Sequence, residues 1–289
     1  MQRTERLALL APIDLTLWEP GPVFVGIAGE SRSGTTLLGL VLGSATDSVY
    51  VGESRNWATK WSNDQDCSCG AQFRQCKFWA AVFDRVGLSR DRPFTADPRP
   101  SEIANILHAA TEVAGVTNVI DSSKSPDYLV PLAQQYGEPP LFLHVLRDPR
   151  GCLHSRLRGW PSVRPTTTER RATFAETVRV GASWRRANSQ AAGLTDVAGA
   201  RYLRVRYEDL ASDPLTVTAV LRPRLGEPAA SVSERVQHVP SGNPTRRQAS
   251  SLEIVLDESW PQAIPRRYQA VGYVAGLPWT HRAGYAPFR

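Results

Sequence analysis

The sequence predicts an α/β protein in three layers, a central parallel β-sheet flanked by helices, and three observations predict it. Short apolar runs of strand length recur at 23–28, 48–52, 118–121, 141–146 and 201–206, rich in the β-branched and aromatic residues of strands buried on both faces. Helical segments separate the runs, and that alternation builds parallel sheets. Polar residues gather just after the runs, at Ser31 to Thr36, Glu53, Ser122 to Lys124 and Arg147. In such sheets ligands bind beyond the carboxyl ends of the strands.

The first unit, Val23 to Leu42, reads VFVGIAGESRSGTTLLGLVL. Val23 to Ala28 is the strand, a glycine-rich turn follows, and Leu37, Leu38, Leu40, Val41 and Leu42 make a densely apolar helix. Loop N–H groups and the positive end of the helix then converge on one point, an anion site. Gly29 and Gly34 have phosphate-loop spacing, so the fold is P-loop-like, but Thr35 stands where a nucleotide triphosphatase needs lysine. Residues 1–20 are weakly patterned and read as an N-terminal arm.

SVYVG at 48–52 is the second strand and ends at Glu53. Residues 54–100 read as an irregular excursion carrying Trp57, Trp61, Phe73, Phe78, Trp79 and Phe83, with a helix near 78–86 and a proline-punctuated loop from Asp91. Ser101 is placed as the N-cap of a helix running toward Val113. NVID at 118–121 is the third strand, and a helix from Asp127 leads to LFLHVL at 141–146. Arg147 closes that strand, a helix covers 151–158, and a proline-rich loop follows at 161–165. A long helix at 172–193 contains Trp184, which is either core or a platform for a base. RYLRVR at 201–206 is the last strand. The whole of 1–289 is expected to be one domain with excursions.

With 42% hydrophobic and 21% charged residues, the chain has an ordinary soluble composition. No stretch reaches the roughly 18 consecutive apolar residues of a membrane span, so the chain is expected to be cytoplasmic and unanchored, with neither membrane nor nucleic acid as partner. The net charge of +6 suits an anionic ligand. Of 34 basic residues only Lys60, Lys77 and Lys124 are lysine, so a lysine inside a motif gains weight. Cys67, Cys69 and Cys76 lie within ten residues, but no fourth cysteine or histidine is near them in sequence. Reduced thiols filling a small loop are the reading, with a local disulfide or partial metal site as alternatives. Cys152 reads as helix core.

Four motifs in order give a resemblance: RSGTTLL at 32–38, LRDPRGCLHSRLR at 146–158, VRYEDL at 205–210 and GNPTRR at 242–247. The chain resembles the PAPS-dependent sulfotransferases, and within them the branch of tyrosylprotein and carbohydrate enzymes with many bacterial members. The resemblance implies that Arg32, Ser33, Gly34, Thr35 and Thr36 hold the 5′-phosphosulfate of PAPS. It gives the 3′-phosphate to Arg147 and Ser155, places Tyr207 beside the nucleotide, and folds Gly242 with Arg246 or Arg247 back over it, so that 240–289 would close the nucleotide site. It also implies a catalytic glutamate after the second strand, here Glu53, and a lysine at the bridge between donor and acceptor, here Lys124, with Arg32 assisting.

The residues agree with that implication on chemical grounds. A donor with two separated anions needs two basic clusters, and the sequence places them at two strand ends. A kinase needs a phosphate lysine and carboxylates on magnesium, and neither stands out, so no metal is expected in the reaction. Sulfuryl transfer to a hydroxyl needs a base for the proton and a donor for the leaving phosphate. His108, His144 and His154 are the alternatives to Glu53 as base; His144 reads as a packed core residue. Ser122, Ser123, Trp57 and Trp160 are candidate acceptor contacts, and Asp121 reads as fixing the loop. The expected function is transfer of the sulfuryl group of PAPS to a hydroxyl of a small molecule, carbohydrate or phenol. The rivals are a small-molecule kinase and a non-catalytic nucleotide-binding module.

Overall fold

The structure, a computed structural model, describes residues 23–91, 93–95, 97–159, 171–227, 236–243 and 254–288. The expectations for 1–20, Trp160, Arg246 and Arg247 lie outside those residues. In chain order the elements are β1 (Phe24–Gly29), α1 (Thr35–Gly43), β2 (Ser48–Gly52), α2 (Trp57–Ser62), α3 (Lys77–Arg85), α4 (Pro100–Ala114), β3 (Asn118–Lys124), α5 (Pro126–Ala133), β4 (Leu141–Leu146), α6 (Pro149–Leu157), α7 (Phe174–Ala192) and β5 (Arg201–Arg206). Among the described residues six short helices follow: α8 (Tyr207–Ser212), α9 (Pro214–Ala219), α10 (Arg222–Leu225), α11 (Trp260–Ala263), α12 (Arg266–Ala275) and α13 (Trp279–Arg282).

The five strands form one parallel sheet in the order β2-β3-β1-β4-β5, flanked by helices on both faces as the α/β reading requires. Side chains alternate across β1. Phe24 and Ala28 join a core with residues of α2 to α5 and the end of α7, while Val25 and Ile27 join a second core with α1, α8, α9 and α10. The order also makes a topological switch point. From β1 the chain leaves toward β2, and from β4 it leaves the other way toward β5, which opens a crevice at the carboxyl ends of β1 and β4.

Several boundaries differ from the sequence reading. Ser101 does not cap α4: Pro100 takes the first helical position, where a missing N–H costs nothing. Arg99 is the cap residue, and its backbone N–H donates to Glu102 Oε2 at 3.2 Å. β3 runs on to Lys124 because β1 offers Ala28 as a partner for it. The excursion is more regular than expected, with α2, α3 and two 3₁₀ turns at Ser54–Asn56 and Phe73–Gln75. Among the described residues, no helix is long and apolar enough to cross a membrane.

The aromatics of the excursion pack against one another rather than around a ligand. Trp57, Trp61, Phe73, Trp79, Phe83 and Phe94 are buried and meet edge-on or tilted, with ring centroids 4.8 Å apart for Trp57–Trp79 and 5.1 Å for Trp61–Phe73. Beside them the structure supplies what the local sequence lacked: His238, far along the chain, joins Cys67, Cys69 and Cys76. A segment from Gln237 to Asn243 crosses the end of β2. Gly52 is left-handed there, φ 82°, and an added Cβ would sit 2.4 Å from the Ser241 carbonyl oxygen, so only glycine allows the crossing.

Candidate functional site

A cavity of about 450 Å³ opens at the switch point, at the carboxyl ends of the strands. It brings together Arg32, Gly34, Thr35, Thr36, Glu53, Lys124, Arg147, Ser155, Tyr207 and Gly242 from the sequence-stated set. Ser31, Asn56, Lys60, Arg158, Asn243 and Asp257 also line it; the sequence gives Asn56 and Asp257 no motif, and Arg158 and Asn243 no role of their own within theirs.

The β1–α1 turn supplies the first wall. Gly34 caps α1 in the left-handed region, φ 102°, and its missing side chain admits Tyr207, whose Cδ2 would lie 2.7 Å from an added Cβ. Arg32 is also left-handed, φ 72°, and that backbone turn carries its guanidinium to the Gly159 carbonyl at 3.3 Å. Burial, and then Arg156, Arg147 and Arg158, pull the Arg32 guanidinium down to about 10. Such crowding of like charge is relieved by an anion. Ser33 is fully buried, with no hydrogen-bond partner for its Oγ among the described residues. Glu30, after β1, pairs with Arg156 and accepts from Ser183 Oγ at 3.0 Å.

The second wall begins where β4 ends. Arg147 is 6% exposed, donates to the Arg32 carbonyl at 3.1 Å and lies over the Tyr207 ring at 4.1 Å. Its carbonyl accepts from Trp184 Nε1 at 2.8 Å. That bond, with Cys152, Trp279 and Tyr285 around the ring, makes Trp184 a core residue and not a base platform. The Arg147 guanidinium also meets Asp257 Oδ2 at 3.0 Å, and Arg158 reaches the same oxygen at 2.5 Å. Burial works against the Asp257 carboxylate, but the Ser259 hydroxyl, Arg147 and Arg158 outweigh it and hold the group at about 2. A depressed carboxylate stabilises the fold above its ordinary range, near pH 4, and that contribution fades as pH falls toward 2. At neutral pH Asp257 therefore stands as an anion on Arg147.

The third wall is an ion pair. Lys124 Nζ bonds Glu53 Oε1, and Asn56 Nδ2 donates to Glu53 Oε2 at 2.7 Å. Lys124 is the second non-glycine residue of the cavity in the left-handed region, φ 71°. Non-glycine residues in this region cost of order 1–3 kcal/mol and cluster at functional sites. Ser241 clasps the Glu53 backbone from both sides: its hydroxyl accepts from Glu53 N–H at 2.7 Å and donates to Glu53 C=O at 2.8 Å. The Asn243 N–H donates to Thr36 Oγ1 at 3.1 Å.

Three expected acceptor contacts fall elsewhere. Trp57 has no exposure and donates to the Val51 carbonyl at 3.4 Å; its size makes it more useful to the core than to a wall. Trp57→Ala is expected to lower the unfolding free energy by about 3–5 kcal/mol, read by denaturant titration; a cost below about 1 kcal/mol would place it at the surface. Ser122 is buried, bonded to the Tyr50 hydroxyl at 2.7 Å. The Ser123 hydroxyl accepts from Arg55 N–H at 3.2 Å and does not line the cavity. Asp121 fixes this turn, accepting from Ser123 N–H at 2.6 Å and from Ser54, and burial pushes its carboxyl up to about 6. His144, between Tyr202 and Asn188, is fully buried and lowered to about 4, so it is a neutral core group. His108 packs on Tyr136, and His154 lies 3.4 Å from Ser259 Oγ; neither lines the cavity.

The profile of the sulfotransferase family matches residues 22–231. Solved structures give the same fold. The sulfotransferase domain of the olefin synthase of Synechococcus PCC 7002 aligns over 93% of this chain and 96% of its own, at 17% identity and a TM-score of 0.55. The sulfotransferase domain from the curacin biosynthetic pathway aligns over 93% and 99%, at 15% identity and a TM-score of 0.51. No curated protein matches the sequence.

Proposed function

The chain belongs to the sulfotransferase family, and on that premise we propose that it moves the sulfuryl group of PAPS to the hydroxyl of a small-molecule acceptor, leaving PAP and a sulfate ester. One observation carries the reading: a single cavity joins guanidinium groups at the ends of β1 and β4 to a carboxylate–ammonium pair at the ends of β2 and β3. The residues fit the donor. The cavity volume lies within the 300–1,000 Å³ of ligand pockets, and the crowding that lowers Arg32 calls for an anion.

When bound, PAPS would supply an activated sulfuryl group at one end and a second phosphate at the other. The backbone turn at Gly34 to Thr36 and Arg32 would hold the phosphosulfate end, with Ser33 supporting the turn. Arg147 and Ser155 would hold the 3′-phosphate, Tyr207 backing the Arg147 guanidinium, while Gly242 and Arg246 or Arg247 close over it. Glu53 would take the proton of the acceptor hydroxyl on a carboxylate oxygen, and Asn56 keeps that carboxylate oriented. Lys124 would place its ammonium on the oxygen that leaves with the phosphate, where charge develops. In the free protein these two opposite charges neutralise each other, and entry of the two substrates separates them.

Calorimetric titration with PAP and with ATP, together with PAP release from PAPS over a panel of hydroxyl acceptors without added magnesium, tests this. PAP binding tighter than ATP binding, with release on some acceptor, is the expected result. Magnesium-dependent ATP turnover would make the protein a kinase, and PAP binding with no acceptor ever sulfated would make it a binding module. Asp257 gives a further measurement. Because its carboxylate occupies Arg147 and Arg158, a phosphate arriving there meets a like charge. Asp257→Asn is expected to tighten PAP binding by about 3–10-fold, roughly the 1 kcal/mol of one screened charge contact. Unchanged or weaker binding would put the 3′-phosphate elsewhere.

A further inference from the structure

Three cysteines and a histidine outside the cavity remain without a role in that mechanism. Cys67, Cys69 and Cys76 come from the loop before α3, and His238 comes from the Gln237–Asn243 segment. Their ligand atoms all lie within 4.8 Å of one another. Cys69 Sγ and Cys76 Sγ are 3.7 Å apart, and Cys76 Sγ is 3.3 Å from His238 Nδ1.

These spacings are those of a coordination tetrahedron and not of a disulfide. With Zn–S of about 2.3 Å and Zn–N of about 2.05 Å, a tetrahedral ion sets S···S edges near 3.8 Å and S···N edges near 3.6 Å. Disulfide sulfurs lie about 2.05 Å apart, and all of these cysteines are free. Cys67 and Cys76 are 1% exposed, while Cys69 and His238 are half-buried, so the cluster has an inner side and a side open for an ion to enter. Three thiols and one imidazole are a soft, four-ligand set, the donor chemistry of a closed structural zinc site.

Hydrogen bonds and ring packing surround the four ligand atoms. Cys67 N–H donates to the Ala71 carbonyl at 2.8 Å and Gly70 N–H to the Cys67 carbonyl at 3.0 Å; Gly70, φ 90°, turns the loop back. Phe78 stacks on the His238 ring with centroids 4.7 Å apart, and Trp79 Nε1 donates to the His238 carbonyl at 2.8 Å. Between two of the cysteines, Ser68 N–H donates to the Val239 carbonyl at 3.1 Å, and the Ser68 hydroxyl accepts from Val239 N–H at 2.8 Å. A few residues further on, Ser241 clasps Glu53 and Asn243 reaches Thr36.

We propose that Cys67, Cys69, Cys76 and His238 bind one structural zinc ion, which staples the Gln237–Asn243 segment to the excursion and so fixes Ser241 and Asn243 at the cavity. Zinc joins positions 162 residues apart, and closing a loop of that length removes much freedom from the segment. The site takes no part in sulfuryl transfer, so its test does not depend on turnover.

The full chain, expressed in zinc-supplemented medium and purified without chelator, is expected to carry about one zinc per chain by plasma mass spectrometry. Cobalt replacing zinc should give thiolate-to-metal absorption, weakened in Cys76→Ser and His238→Ala. Stripping the metal from the wild type should speed amide exchange in 237–243 and at Glu53 and lower the melting temperature. A folded wild-type protein with no metal, with iron in place of zinc, or with a Cys69–Cys76 disulfide would overturn the site. Zinc present with exchange in 237–243 unchanged on its removal would overturn the staple.

Discussion

Glu53→Gln is expected to lower kcat by about 10²–10⁴-fold, the ordinary contribution of a positioned base, while the Kd for PAP stays within a factor of two or so of wild type. The amide keeps the size of the side chain; its oxygen still accepts from Lys124, while its NH2 replaces the oxygen that met Asn56 and calls for Asn56 to turn its own amide oxygen toward it. What it loses is the capacity to take a proton. Glu53 lines the cavity beside Lys124, whereas Arg147 and Tyr207 line the part given to the 3′-phosphate, so the substitution separates chemistry from donor affinity. Single-turnover kinetics with PAPS and a working acceptor, beside calorimetry with PAP, read the two effects. A variant as fast as wild type would remove Glu53 from the role of base; a large loss of PAP affinity would show that it holds the nucleotide.

Arg147→Gln is expected to act the other way, raising the Kd for PAP by about 30–4,000-fold. Truncating one partner of a buried charged pair costs roughly 2–5 kcal/mol, and each 1.4 kcal/mol is tenfold. Arg147 is 6% exposed and also ties the Arg32 carbonyl to Asp257, so the fold needs its own control. Asp257→Asn in the same background removes the carboxylate that Arg147→Gln leaves behind. It should restore stability in a thermal melt without restoring PAP affinity. If the double variant binds PAP as the wild type does, Arg147 does not hold the 3′-phosphate.

Where a residue sits within a local motif, the sequence was a good guide. β1, its turn and α1 are spelled out by one uninterrupted run, and the polar residues after each strand mark the carboxyl edge. Arg32, Thr35, Thr36, Glu53, Lys124, Arg147 and Tyr207 could all be read there, and the structure places them around one cavity. Asp257 carried no such sign: a single acid in a stretch of weak pattern acquires meaning only when the chain returns to lay it on Arg147. Asn56 is of the same kind. Trp57, expected at the acceptor, shows the opposite failure: it is buried in the core, and a buried ring and a substrate-facing ring differ only in what lies against them.

The sequence by itself determined the alternation of strands and helices, a glycine-bearing turn leading into an apolar helix, and the presence of a second basic cluster one strand-end away. Local backbone chemistry encodes these: apolar runs make strands, glycines open the turn, and charge follows the strand ends. Tertiary structure alone decided which groups meet. The β2-β3-β1-β4-β5 order sets Glu53 against Lys124 and Arg32 beside Arg147. The passage of 237–243 across Gly52 brings His238 to three cysteines 162 or more residues behind it. A fourth ligand that far away in the chain is invisible to spacing, since no local periodicity links residues whose only connection is the folded path between them.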